Sequence, residues 1–166
     1  MQITLIAAIS DNRALGKDNA LAWDMPADRQ FFMEQIKNKV VVMGRRTYDS
    51  HLEEEDIPYA QAIVVTRRAD YEAPGAIICH SLIEAYEWGR ARNLSELMIL
   101  GGGQIYAQAI EDADCLIITE IHTEIEGDAF FPSIDLQLWE ESSRQSFAAD
   151  AANSFSYEFV QYQRRH

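Results

Sequence analysis

Residues 97–106 read Leu97-Met98-Ile99-Leu100-Gly101-Gly102-Gly103-Gln104-Ile105-Tyr106. An apolar strand-type run passes through three glycines, after which Ile105, Ala109 and Ile110 recur at helical spacing. A strand that turns through glycines into a helix is the repeating unit of a parallel α/β sheet. Glycines at such a junction let backbone N–H groups approach a phosphate, and the helix dipole favours its charge. The spacing is not GxGxxG, so the ordinary dinucleotide fingerprint is absent. A tight packing turn accounts for the glycines equally well.

Two further junctions repeat the pattern. Val40-Val41-Val42-Met43 runs into Gly44-Arg45-Arg46-Thr47-Tyr48, and Ile63-Val64-Val65 ends in Thr66-Arg67-Arg68. Hydroxyls and guanidinium groups suit phosphate oxygens. Each end read alone is equally a solvated strand end. Together they gather at the carboxyl ends of strands, the edge where open α/β sheets bind ligands. One pyrophosphate and one extra phosphate would use them, which points to NADPH over NADH.

The remaining pattern extends this alternation. Strands are expected at 2–9, 39–43, 61–66, 76–79, 97–100 and 114–121, and helices at 26–37, 45–50, 82–92 and 102–110. Near 138–146 and 154–163, two strand-like segments have no helix between them, and 148–153 reads as their turn. They predict an antiparallel hairpin on the edge of an otherwise mostly parallel sheet. No repeat, low-complexity tract or linker interrupts the 166 residues, which suit a single domain, 1–166, with a core of ordinary size.

Composition narrows the partners. Fourteen basic residues against 27 acidic ones leave a net charge of -13, which argues against nucleic acid or anionic membrane. The N-terminus lacks a basic leader and a membrane-length apolar run. Cys79 and Cys115 lie in or beside apolar runs without metal-ligand spacing, and read as buried thiols in a reducing cytoplasm. No metal site is expected. With no second interface evident, the chain reads as a monomer.

Asp28 is the residue that carries chemistry. It follows Pro26, which suits the first turn of a helix. Phe31, Phe32 and Ile36 lie three, four and eight positions on, so its carboxylate shares their apolar stripe. A charge there is costly unless paired. An amidine-like ligand would pair it; a first-turn acid satisfied by backbone N–H groups is the plainer reading. Before it comes a long polar loop, Ser10 to Trp23, with Gly16 inside. Loops of that length are often functional lids, and Trp23 either serves the site or anchors the loop.

In their order and spacing, several segments resemble the bacterial dihydrofolate reductases. They are Ile3 to Ala8, Asn19-x-x-x-Trp23-x-x-Pro26-x-Asp28, Met43 to Thr47, Gly101-Gly102-Gly103-x-Ile105-Tyr106, Glu126-Gly127-Asp128 and Asp150-x-x-Asn153-Ser154-x-x-Tyr157. The resemblance runs from end to end. It implies an eight-stranded mixed sheet with four flanking helices, and NADPH-dependent reduction of 7,8-dihydrofolate to tetrahydrofolate. On that resemblance Asp28 hydrogen-bonds the pterin N3 and 2-amino group, with Thr119 supporting it through a water. Ile6, Ala7, Phe32 and Leu100 wall the substrate pocket, with Ile57 at its rim. Ala8, Leu15, Gly16, Asn19, Gly44, Arg45, Arg46, Thr47, Thr66 and Arg67 hold NADPH, together with Gly101, Gly102, Gly103, Gln104, Ile105 and Tyr106. Trp23 and the first loop close over the reacting rings, and Glu126-Gly127-Asp128 pairs with that lid; a plain turn is the other reading of that triplet.

One departure stands out. The family usually carries an arginine before the third strand of its sheet to grip the substrate's glutamate, and Ala60 falls at that place here. The preceding Glu53-Glu54-Glu55-Asp56 adds negative charge, or is a solvated loop. Arg29, next to Asp28, is the available substitute for the tail contact; a surface arginine is the plainer alternative. Two other activities therefore stay open: a same-fold reductase of a dihydropterin without that glutamate, and a pterin- or nucleotide-binding module without catalysis. A reductase of a ribosylated pyrimidine fits Asp28 and Trp23 less well.

Overall fold

The computed structural model describes residues 1–16, 25–51 and 57–166. In chain order the elements are β1 (Gln2–Ser10), β2 (Ala14–Gly16), α1 (Pro26–Ile36), β3 (Val40–Gly44), α2 (Arg45–His51), β4 (Gln61–Val65) and β5 (Ile77–Cys79). Then come α3 (Leu82–Ala91), β6 (Glu96–Ile99), α4 (Gly103–Ala109), β7 (Cys115–Ile121), β8 (Ala129–Phe130), β9 (Trp139–Phe147) and β10 (Tyr157–Arg164).

Eight strands form one sheet in the order β5-β4-β3-β6-β1-β7-β10-β9. The six strands from β5 to β7 are parallel, and β10 runs antiparallel to both β7 and β9. The mixed sheet, the four helices and the closing hairpin match the expectation from sequence. The short β2–β8 pair was not expected. Segments of three and two residues are too brief for a period-2 pattern to register.

The parallel strands are largely apolar on both sides because helices cover both faces, whereas β9 at the edge is polar and exposed. On one face Leu5, Ile9, Val42, Ile63, Ile99 and Leu116 pack with Leu82, Ala85 and Tyr86 of α3 and Tyr106 and Ala109 of α4. On the other, Ile6, Val41, Met43, Val64 and Met98 pack with Phe31, Phe32 and Ile36 of α1 and Tyr48 of α2. Both cysteines are free and buried, as their flanking runs predict. Among the described residues, no helix is long and apolar enough to cross a membrane.

β1 lies between β6 and β7, with Leu5 opposite Ile99 on one side and Leu116 on the other. The chain leaves β1 toward β3, β4 and β5, returns to β6, then crosses to β7 on β1's far side. This reversal of direction opens a crevice at the carboxyl ends of the parallel strands.

Candidate active site

That crevice is a cleft of about 1360 Å³, ample for two ligands side by side. At one end stands Asp28. It is only 8% exposed, in the first turn of α1, where Pro26 takes the position that needs no N–H. Met25 precedes the helix without a side-chain cap, so Asp28 is not the helix cap; it is a first-turn acid turned into the cleft. Burial pushes its carboxyl above the usual carboxylate range, and a hydrogen bond with the Thr119 side chain partly offsets this. Thr119 is buried on β7 and supports Asp28 from behind without lining the cleft.

Ile6, Ala7, Ala8, Phe32 and Leu100 line the walls nearby. Tyr106, 4% exposed, donates its hydroxyl to the Ile6 carbonyl at 2.5 Å, tying α4 to β1 at mid-cleft. Burial raises its phenol, with the Asp28 charge adding to the effect, so Tyr106 stays neutral.

The glycine turns meet at the centre. Gly44 N donates to Gly101 O at 2.8 Å, and Leu100 N donates to Val42 O at 2.8 Å, locking the β3 and β6 exits side by side. Gly101 has φ +105°, and a Cβ there would lie 2.7 Å from the Tyr106 ring. A Cβ on Gly102 would lie 3.4 Å from Thr47 Oγ1, and one on Gly103 3.4 Å from the Phe130 carbonyl. Bare backbone is therefore required at Gly101, while a Cβ at either neighbour would make ordinary contact. Such a cradle, beside arginines, fits a pyrophosphate.

The far end is cationic. Arg45, Arg46, Arg67 and Arg68 line it with Thr47, Thr66, Ser81 and His80. Thr66 Oγ1 accepts from Arg68 N at 3.1 Å. His80 Nδ1 lies 2.9 Å from the Thr66 carbonyl, which can only accept, so that ring nitrogen carries the hydrogen. In a chain of charge -13, so many guanidinium groups on one cleft focus the field on anions.

Most residues singled out from sequence line this one cleft: Ile6, Ala7, Ala8, Leu15, Gly16, Asp28, Arg29, Phe32, Gly44, Arg45, Arg46, Thr47, Thr66, Arg67, Leu100, Gly102, Gly103, Gln104, Ile105 and Tyr106. Gly101 is buried just behind it. Ile57 is half-buried against the α1 face and does not line the cleft. Asn19, Trp23 and the 53–56 acidic run lie outside the described residues. Ala60 is exposed, its N–H donating to Lys39 O, with no cation in its own side chain. Arg29 is exposed at the cleft. The acidic turn adjoins the first loop where that loop is described: Asp128 N donates to Gly16 O at 3.1 Å.

His80 and Ser81 were missed by the sequence reading, whereas Arg68 belongs to the Thr66-Arg67-Arg68 strand end it named. Strand-end reasoning finds the missed pair once it is applied to β5, whose exit runs directly into His80 and Ser81, the cap of α3.

The family model described as Dihydrofolate reductase matches residues 2–164. The dihydrofolate reductase of Neisseria meningitidis serogroup A is 42% identical over 164 residues, covering 99% of each chain. Dihydrofolate reductase type 3 of Salmonella typhimurium is 39% identical over 165 residues, again covering 99% of each. The solved dihydrofolate reductase from Enterococcus faecalis, complexed with NADP(H) and RAB-propyl, superposes with a TM-score of 0.90 at 30% identity, covering 99% of this chain and 97% of that one. The chain belongs to the dihydrofolate reductase family.

Proposed function

We propose that the chain, working as one unit, catalyses NADPH-dependent reduction of 7,8-dihydrofolate to 5,6,7,8-tetrahydrofolate. The observation that carries this is a buried carboxyl, Asp28 backed by Thr119, on the same cleft as two abutting glycine turns and an arginine-rich end. NADP(H) in the Enterococcus faecalis relative supports the cofactor assignment.

When bound, NADPH supplies the hydride for pterin C6, so the protein's work is binding, orientation and exclusion of water. Gly44 to Thr47 and Gly101 to Tyr106 would hold the pyrophosphate and ribose, and Thr66 and Arg67 the extra phosphate, with Arg68 and His80 beside them. Ala8, Leu15 and Gly16 would flank the nicotinamide. Ile6, Ala7, Phe32 and Leu100 would press on the pterin rings. Asp28 would accept from pterin N3 and the 2-amino group, fixing the ring against the cofactor. Those atoms lie on the far side of the pterin from N5, so Asp28 orients and stabilises charge while solvent delivers the N5 proton. Trp23 and Asn19 keep the roles that the resemblance assigns them. A monomeric cytoplasmic chain without a nucleic-acid partner completes the reading, in keeping with its acidic charge.

The direct test is loss of NADPH absorbance on adding dihydrofolate. Asp28→Asn is expected to bind NADPH normally and to lose about a hundredfold or more in turnover at neutral pH; near-normal turnover would overturn the assignment.

Ala60 favours a second reading, a preference for dihydropterins without the usual glutamate. Under the first reading Arg29 takes over the tail contact. Arg29→Ala should then raise the KM for dihydrofolate about tenfold and leave a tail-less dihydropterin unaffected. Equal effects on both substrates would refute that role.

A further inference from the structure

α1 carries Asp28 yet has no cap of its own. Met25 precedes it without a side-chain acceptor, and Pro26 has no N–H. The first donor of the helix is Ala27 N–H, which donates to Asn153 Oδ1 at 3.1 Å, across 126 positions of sequence. Asn153 sits in the turn between β9 and β10 and is 5% exposed. Its amide cannot rotate freely. Asp150 Oδ1 accepts from Asn153 N at 2.7 Å, from Asn153 Nδ2 at 3.1 Å and from Ala152 N at 2.9 Å. Asp150 N donates back to Asn153 O at 2.9 Å. With Nδ2 committed to Asp150, Oδ1 is aimed at the helix.

The same hairpin holds α1 one turn further on. Phe159 of β10 stacks on Phe31, with centroids 4.0 Å apart and planes 10° from parallel. Phe159 lies directly opposite Thr119 in the β7–β10 ladder. The hairpin thus fixes the helix start and its second turn, while Thr119 meets the carboxyl between them. Neither Asn153 nor Asp150 lines the cleft.

We propose that Asn153, seated by Asp150, is a positioning residue that sets where Asp28 presents its carboxyl to the substrate. This rests on Asp28 being the acid that grips the pterin. Without the cap, the Ala27 N–H has no acceptor, the first turn loosens, and Asp28 draws away from Thr119 toward water.

The test compares Asn153→Ala, Asp150→Ala, the swap Asp150→Asn with Asn153→Asp, and Asp28→Asn. Asn153→Ala should lower kcat/KM for dihydrofolate roughly tenfold, the scale of one lost cap. The NADPH dissociation constant should hold to within about twofold, because its contacts lie on other elements. The decisive readout is the limb of the kcat/KM pH profile that tracks Asp28. As the carboxyl regains water, that limb should move to lower pH. Tyr106 and Tyr157, whose phenols feel the Asp28 charge, are both raised by burial and stay neutral throughout. The swap keeps an oxygen facing Ala27 and a donor–acceptor pair between positions 150 and 153. It should restore the rate to within about threefold and bring the limb back up. If Asn153→Ala does not fold, Asp150→Ala unseats the same amide from the surface and must show the same movement. A lowered Tm with an unmoved profile makes the turn merely structural and overturns the proposal. If Asp28→Asn stays active, it is the reading of Asp28 that fails; if Asp28→Asn is inactive and the Asn153→Ala profile is unmoved, only the positioning role fails.

Discussion

Asp28 holds its place against the stability of the fold. Burial raises its carboxyl above the unfolded value, so the folded state keeps a proton that the unfolded chain has released. The sign follows. For an acid with a raised folded pKa, stability is fully present below the unfolded value and is lost as pH rises through the folded one. Asp28→Asn imitates the protonated form and retains groups that can hydrogen-bond Thr119. It should therefore melt higher than the wild type at neutral pH, by the order of a few degrees. The gap should close on acidification below about pH 4, where the wild-type carboxyl is protonated in both states. Thermal melts of the two proteins across pH check this; an Asn variant less stable at neutral pH would contradict it. Gly101 shows the opposite economy: its φ of +105° and the Tyr106 ring 2.7 Å from a would-be Cβ leave only glycine without strain.

Elements are held to one another by polar clasps as well as by the core. His122, just past β7, lies 3.0 Å from Asp11 by Nδ1 and 3.1 Å from Glu158 by Nε2. Glu158 also accepts from Ser146 and Arg144, and Arg144 reaches Glu120 at 2.9 Å. The hydrogen bond to Asp11 leads the upward shift of His122, with Glu158 adding to it. A base with a raised folded pKa contributes stability that is complete below its unfolded value, about 6.5, and is lost as pH rises through the higher folded one. The Tm advantage of wild type over His122→Gln should thus be largest near about pH 6 and shrink by about pH 9. A difference independent of pH would show that the imidazolium is not the clasp. The partners come from the β1 exit, β7, β9 and β10, so no local sequence window contains the cluster. The unexpected β2–β8 pair has the same cause: its strands, Ala14–Gly16 and Ala129–Phe130, lie far apart in the chain.

Across the whole molecule, 27 acidic side chains repel one another against 14 basic ones, while five of the eleven arginines line one cleft. Raising salt from about 0.02 M to about 0.5 M should screen the general repulsion and raise Tm. The same salt should weaken NADPH binding severalfold, because the guanidinium contacts to phosphate are screened too. Melts and cofactor titrations in the same buffers check the pair of opposite trends; a Tm that falls with salt would mean that ion pairs outweigh the repulsion. Local pattern was enough to read the α/β class, the four helices, the closing hairpin and the glycine–arginine strand ends, because periodicity and turn chemistry act over a few residues. It was also enough to place Asp28 on an apolar stripe. The order of strands within the sheet, the inclusion of His80 and the capping of α1 by Asn153 were decided by the tertiary structure alone. Each depends on residues far apart in the chain meeting at distances of about 3 Å, and no short-range pattern encodes such a meeting.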